Sequence, residues 1–161
     1  GGPRRSKVET LAEAGAASIA VVNRSADRAT ALASVRGSSA CRIETVRWGA
    51  TPQVKADLLV RALATEQVGP EERAAWDAAI SGATLIDLNY GPRAAEARIE
   101  AQRRGLRFED GLPLLMEQGA ASYEFWTGER APRAAMREAL GGTWEDSGPH
   151  STGGRRISST S

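Results

Sequence analysis

The stretch Ser18 to Arg28, S-I-A-V-V-N-R-S-A-D-R, constrains what this chain can fold into more than any other. Ser18-Ile-Ala-Val-Val is short, apolar and rich in β-branched residues, the composition of a strand buried on both faces in a parallel sheet. Asn23-Arg24-Ser25 ends it, and either Ser25 or Asn23 can cap the helix suggested by Ala26-Asp-Arg-Ala-Thr-Ala-Leu-Ala. A polar trio therefore sits where the carboxyl end of a strand meets the amino end of a helix. In open α/β sheets that is where ligands bind.

The rest of the chain alternates in the same sense. Pro3 to Ala14 reads as a helix stopped by Gly15, and Ala26 to Val35 as a second helix. Gly37-Ser-Ser is a turn, and Cys41 to Trp48 and Ala56 to Val60 are further strands. An amphipathic helix is expected over Pro70 to Ile80, then a strand over Ala83 to Tyr90. A helix over Ala94 to Arg104, a short strand Leu106 to Glu109 and a closing helix Ala131 to Leu140 complete the pattern. Strands alternating with helices predict an α/β fold, a Rossmann-like, mostly parallel sheet flanked by helices. Residues 1–140 are expected to form one nucleotide-binding domain. The Gly-, Ser- and Thr-rich residues 141–161 are expected to be a disordered tail.

Composition removes several function classes. The chain has 161 residues, enough for one domain with a real core. Its 21 basic residues are offset by 20 acidic ones and no basic block stands apart, which argues against nucleic acid as a partner. The lone Cys41 and lone His150 provide neither a disulfide nor a Cys/His metal site, and Cys41 is expected to be a structural thiol. No apolar run has transmembrane length and no signal peptide opens the chain, so a soluble cytoplasmic protein without membrane contact is expected.

The residue type at the end of the Ser18 strand selects the ligand. In dinucleotide-binding folds an acidic residue about 20 positions after the glycine-rich loop accepts a hydrogen bond from the free ribose hydroxyl of NAD. Here that position carries Arg24. An acid would repel a 2′-phosphate, whereas Arg24 and Arg28 offer two guanidinium forks to it, and Asn23 and Ser25 add neutral donors. NADP is the expected cofactor. An asparagine cap followed by two solvated arginines would leave the same signature.

Asn23-Arg-Ser-x-x-Arg28-Ala-x-x-Leu-Ala resembles the 2′-phosphate motif of the shikimate dehydrogenase family, and glutamyl-tRNA reductases carry a similar stretch. Two later segments resemble the first family more closely. Asp87-Leu-Asn-Tyr90-Gly-Pro92 is similar to its Asp-x-x-Tyr-x-Pro. Asp110-Gly111-Leu-Pro-Leu-Leu-Met-Glu-Gln118, continuing to Trp126-Thr-Gly128, is similar to its Asp-Gly-Leu-x-Met-Leu-x-x-Gln-x-x-x-x-Phe-x-x-Trp-x-Gly. The resemblance covers Gly1 to about Leu140. It implies reversible NADP-linked oxidation of shikimate to 3-dehydroshikimate, a step of aromatic amino acid biosynthesis.

By that resemblance Gly1 and Gly2 stand as the last pair of a Gly-Ala-Gly-Gly turn, with the first strand and first glycine missing. Tyr90 would lie near nicotinamide and substrate, Gly111 would let backbone approach the nicotinamide, and Gln118 would face a substrate hydroxyl. Leu114, Leu115, Phe125 and Trp126 are expected in the core. The family's base is a lysine paired with an aspartate in an amino-terminal substrate domain. No residue here inherits that role, so the chain reads as the cofactor-binding half with no catalytic residue of its own. The pattern departs after Val60, where Arg61-Ala-Leu63 replaces small residues that line the adenosine side. A non-catalytic nucleotide-binding remnant and the nucleotide domain of a glutamyl-tRNA reductase are the alternatives.

Overall fold

The computed structural model describes residues 7–34 and 41–141. Gly1, Gly2, the start of the first helix, the turn at Gly37 and residues 142–161 of the expected tail lie outside them. The chain divides into two compact units, Gly1–Leu112 and Pro113–Ser161.

In the first unit, α1 (Lys7–Glu13) leads into β1 (Ser18–Asn23), which pairs in parallel with β2 (Arg42–Arg47) in the register Ser18↔Arg42 to Asn23↔Arg47. Helix α2 (Ala26–Ala33) joins the two strands and packs on both. Val8 of α1, Val21 of β1 and Ala29 of α2 form a small core, backed by Ile19, Leu32 and Ile43. Of the six residues in each strand only Val21 is fully buried, so the two-stranded layer depends on its helices.

A second sheet has the order β3-β4-β5, with β3 at Ala56–Arg61, β4 at Ala79–Asp87 and β5 at Arg107–Glu109, all parallel. Helices α3 (Pro70–Trp76) and α4 (Ala95–Arg103) connect its strands, with a 3-10 turn at Gly91–Ala94. Here lies the main core: Val68, Trp76, Ala83, Leu85 and Leu106 against Ala97 and Ala101. The two alanines recur at i and i+4, so one stripe of α4 is flat enough to seat on the sheet.

Three expectations are corrected. The helix read over Pro70 to Ile80 stops at Trp76. Ala78 C=O instead accepts the Ala56 N–H at 3.0 Å, and Ala79 and Ile80 enter β4, so a strand partner captures the residues that helical periodicity had claimed. The Ser18 strand is not buried on both faces, since Val21 alone within it is fully buried. The reason is that β1 and β3 share no backbone ladder among the described residues, leaving one edge of each open. The described strands thus form two sheets, β1-β2 and β3-β4-β5.

The third correction lies in the second unit, where α5 (Leu112–Thr127) carries on from the first and is followed by α6 (Arg133–Ala139). Leu114, Leu115, Phe125 and Trp126 are exposed, the last two at 79% and 81%. Met116 and Ala120, one turn apart, define the buried stripe of α5, and Phe125 falls on the opposite side of the helix. The two aromatics pack edge to face on each other, 5.3 Å between centroids. Arg133 donates to Glu124 at 2.6 Å and to Glu117 at 3.3 Å, and Glu124 also accepts from Ala131 N–H at 3.0 Å. These hydrogen bonds, Arg133 first, hold the Glu124 carboxyl below its ordinary range.

Candidate functional site

The strand-to-helix turn after β1 is built by local hydrogen bonds. Asn23 Oδ1 accepts from the Ser25 N–H at 2.9 Å, and Ser25 Oγ accepts from the Arg28 N–H at 3.3 Å. Ser25 is thus the N-cap of α2, in extended backbone geometry. Those bonds fix the polar trio while turning Arg24 outward. Arg24 and Arg28 are both exposed. The Arg24 guanidinium lies over the Trp48 ring, 5.1 Å from its centroid, so a cation–π contact with the residue after β2 limits where that charge can sit. Trp48 was not singled out in the sequence, and only the parallel register of β1 and β2 brings it to Arg24.

Arg24 and Trp48 line a recess of about 310 Å³ together with Thr65, Gln67, Gly69 and Glu71. The wall opposite the arginine is the loop 62–69, whose shape is set by Arg61. Far from lining an adenosine surface, Arg61 is turned inward and is 3% exposed. Its Nε donates to Glu72 at 2.8 Å and its Nη1 to Asp87 at 3.0 Å, while Nη2 donates to the carbonyls of Thr65 (2.8 Å) and Gln67 (3.0 Å). Burial works against the Arg61 charge, but hydrogen bonding to Glu72 and the nearby carboxylates of Asp87 and Glu72 hold its proton more tightly than usual. Both acids are buried, Asp87 completely.

Asp87 then passes the constraint on. Its Oδ1 accepts from the Asn89 N–H and Nδ2, each at 3.0 Å, and Asn89 Nδ2 also donates to the Leu63 carbonyl at 2.8 Å. Glu72 Oε2 accepts from the Gly69 N–H at 3.2 Å, Glu96 accepts from the Val68 N–H at 3.1 Å, and Arg93 donates to the Ala64 carbonyl at 2.7 Å. Most of the loop's backbone is therefore tied to side chains of β3, α3, α4 and the segment 89–93 between β4 and α4.

Tyr90 follows β4 at 46% exposure, in extended backbone geometry. Gly111 lies against the same segment: its N–H donates to the Asn89 carbonyl at 2.8 Å, and a Cβ there would collide with the Leu88 carbonyl. The structure thus gives Gly111 a packing reason of its own, since only a residue without a side chain fits beside the strand end that carries Tyr90. Gly111→Ala is expected to cost about 1–3 kcal/mol, because both colliding groups are backbone and can yield only by moving the ends of β4 and β5. Urea unfolding would show it, and an unchanged midpoint would contradict the clash. Gln118 is exposed on α5 in the second unit.

Among the described residues no cluster of His, Cys, Asp or Glu could hold a metal, and no helix is long and apolar enough to cross a membrane. Cys41 is a free, half-buried thiol just before β2.

Comparison with known proteins agrees with this layout. The family model described as the shikimate 5′-dehydrogenase C-terminal domain matches residues 111–140. A shikimate dehydrogenase (NADP(+)) of Rhodopseudomonas palustris (strain HaA2) is 36% identical over 146 residues, 87% of this chain and 50% of the relative. One from Pyrobaculum aerophilum is 35% identical over 143 residues, 87% of this chain and 51% of the relative. The solved shikimate 5-dehydrogenase of Thermus thermophilus, in complex with shikimate, superimposes with a TM-score of 0.60 at 32% identity, covering 81% of this chain and 48% of that one. The chain spans about half the length of the curated relatives it matches. In sequence over 87% of its length, and in fold, the chain is similar to shikimate dehydrogenases, and its residues 111–140 match the C-terminal domain of that family.

Proposed function

We propose that this chain is the NADP-binding half of a shikimate dehydrogenase-like oxidoreductase, acting on shikimate or a similar polyol acid. The observation that carries the reading is the exposed pair Arg24, after β1, and Arg28, in the first turn of α2, where a ribose 2′-phosphate would meet two guanidinium groups against the single carboxylate of Asp27. Neither arginine is engaged by a carboxylate among the described residues, so their charge is available to a phosphate. The names of the relatives, shikimate dehydrogenase (NADP(+)), support the same cofactor and substrate.

Bound NADP would supply the hydride acceptor. Asn23, Arg24, Ser25 and Arg28 would hold its adenosine phosphate, Gly1 and Gly2 its pyrophosphate, and Tyr90 and Gly111 would border its nicotinamide. Tyr90 and Gln118 would orient a substrate hydroxyl through groups that both donate and accept. The base would come from an amino-terminal substrate domain, the partner that a chain spanning half of its relatives calls for, and residues 1–140 would act as one cofactor domain beside it. The setting would be the cytoplasm, as for other soluble enzymes of biosynthesis.

Titration with NADPH and NADH tests the reading. The parent chain is expected to prefer NADPH, and Arg24→Asp to weaken NADPH binding by about 10- to 150-fold, the equivalent of losing a charge-assisted hydrogen bond worth about 1.5–3 kcal/mol. NADH binding should change much less. Equal curves for both nucleotides in the parent would sink the assignment.

A further inference from the structure

The recess of about 310 Å³ beside Arg24 is lined by two groups that phosphate binding does not use, the Trp48 indole and the Glu71 carboxylate. Trp48 is half-buried, and the Arg24 guanidinium lies over its ring, 5.1 Å from the centroid. A guanidinium grips a phosphate with its edge and an aromatic ring with its face, so this contact leaves the donors of Arg24 free. The pair offers the kind of surface on which a nucleobase stacks.

Glu71 is seated close to that pair. It lies in the first turn of α3, and its Cγ is 3.3 Å from where a Cβ would stand on Gly49, the residue directly after Trp48. Its Oε2 is 3.2 Å from where a Cβ would stand on Gly69. Two residues without side chains thus leave room for the acid at the recess. Among the described residues no cation or N–H engages it, whereas Glu72 beside it is bound by Arg61. The carbonyls of Thr65 and Gln67, which also border the recess, already accept from Arg61. Glu71 is therefore the strongest acceptor left for a ligand, and a carboxylate only accepts.

We infer that this recess takes a purine base, stacked on the Arg24–Trp48 pair, and that Glu71 selects a base bearing an exocyclic amino group by accepting its N–H. The inference rests on the cofactor reading above and deepens it, since Arg24 and Arg28 would read the ribose phosphate while Trp48 and Glu71 read the base. Adenine offers such an amine. Hypoxanthine carries a carbonyl oxygen in its place, which would set one acceptor against another with no hydrogen between them.

Calorimetric titration of the full 161-residue chain with NADPH and with its hypoxanthine analogue, which differ in that one group of the purine, tests the inference. NADPH is expected to bind about 3- to 10-fold more tightly, the share of one hydrogen bond to an exposed side chain. Glu71→Gln should abolish the preference, because an amide can accept from the amine or donate to the carbonyl. Trp48→Ala should weaken both nucleotides about fivefold or more, and Trp48→Phe should keep most of the affinity. Equal binding of the two purines by the parent, with NADPH still favoured over NADH, overturns the inference and leaves the cofactor reading standing. So does a preference that survives in Glu71→Gln, or full affinity in Trp48→Ala. Failure of the parent to bind any of the three nucleotides overturns both.

Discussion

Arg61→Ala is expected to destabilise the first unit by about 3–5 kcal/mol, because it leaves two buried carboxylates facing each other without their cation. Glu72 and Asp87 are 4% and 0% exposed, and both receive their charge partner from this one guanidinium. The substitution also removes the donors that hold the Thr65 and Gln67 carbonyls. Urea unfolding monitored through Trp76, which is packed in the adjoining core, would measure the loss. Arg61→Met combined with Glu72→Gln and Asp87→Asn should recover part of it, since neutral groups leave no buried charge uncompensated. A single-substitution cost below about 1 kcal/mol would mean that water reaches the acids and that the network is not the keystone of this region. The raised Arg61 pKa has a simple sign: its stabilisation is fully present below the ordinary guanidinium value and fades only as pH rises through the higher folded one, so it is constant across the neutral range.

The second large effect is catalytic. A polypeptide of these 161 residues is expected to form NADPH from shikimate at least about 10²–10⁴-fold more slowly than a full-length relative, the contribution of a positioned base alone. As hydride leaves the secondary alcohol, its hydroxyl proton must also leave. Tyr90 and Gln118 can orient a hydroxyl, but the glutamine amide does not take up a proton near neutral pH and so cannot serve as the base. The two lysines are placed elsewhere, Lys7 opening α1 and Lys55 directly ahead of β3, and both are exposed. Lacking a second wall, the substrate would also lose the near-attack positioning that proximity provides, so the deficit could exceed the base alone. Single-turnover absorbance at saturating NADP measures it. Shikimate-dependent NADPH formation at the rate of a full-length relative would refute the expectation and reveal a base among the residues present.

Much of this fold was legible because its signals are local. The apolar run Ser18 to Val22, a cap at Ser25 and the alternation of strand and helix each depend on neighbours a few residues away, and each is found in the structure. Whether β1 and β3 pair was not legible, and among the described residues they share no ladder. What escaped depends on distant partners. Arg61 looked like a departure from a cofactor loop, and its true environment comes from Glu72 and Asp87, 11 and 26 residues away. Trp48 reaches Arg24 only through strand pairing. The end of α3 was misjudged because Ala78 to Ile80 suit either state until β3 arrives to claim them. The aromatics of α5 were placed in the core on residue type, whereas the direction of each side chain around the helix decided otherwise.

The loop 62–69 has a consequence for how a ligand would come and go. Fixing a residue's backbone costs about 1–2 kcal/mol in conformational entropy, and a loop that orders only around its ligand subtracts that cost from affinity. Here the carbonyls of Leu63, Ala64, Thr65 and Gln67 and the amides of Val68 and Gly69 are already tied down by side chains that touch no ligand. A nucleotide that entered beside Arg24 would meet a wall whose freedom was surrendered when the chain folded, so its binding would carry little of that ordering cost.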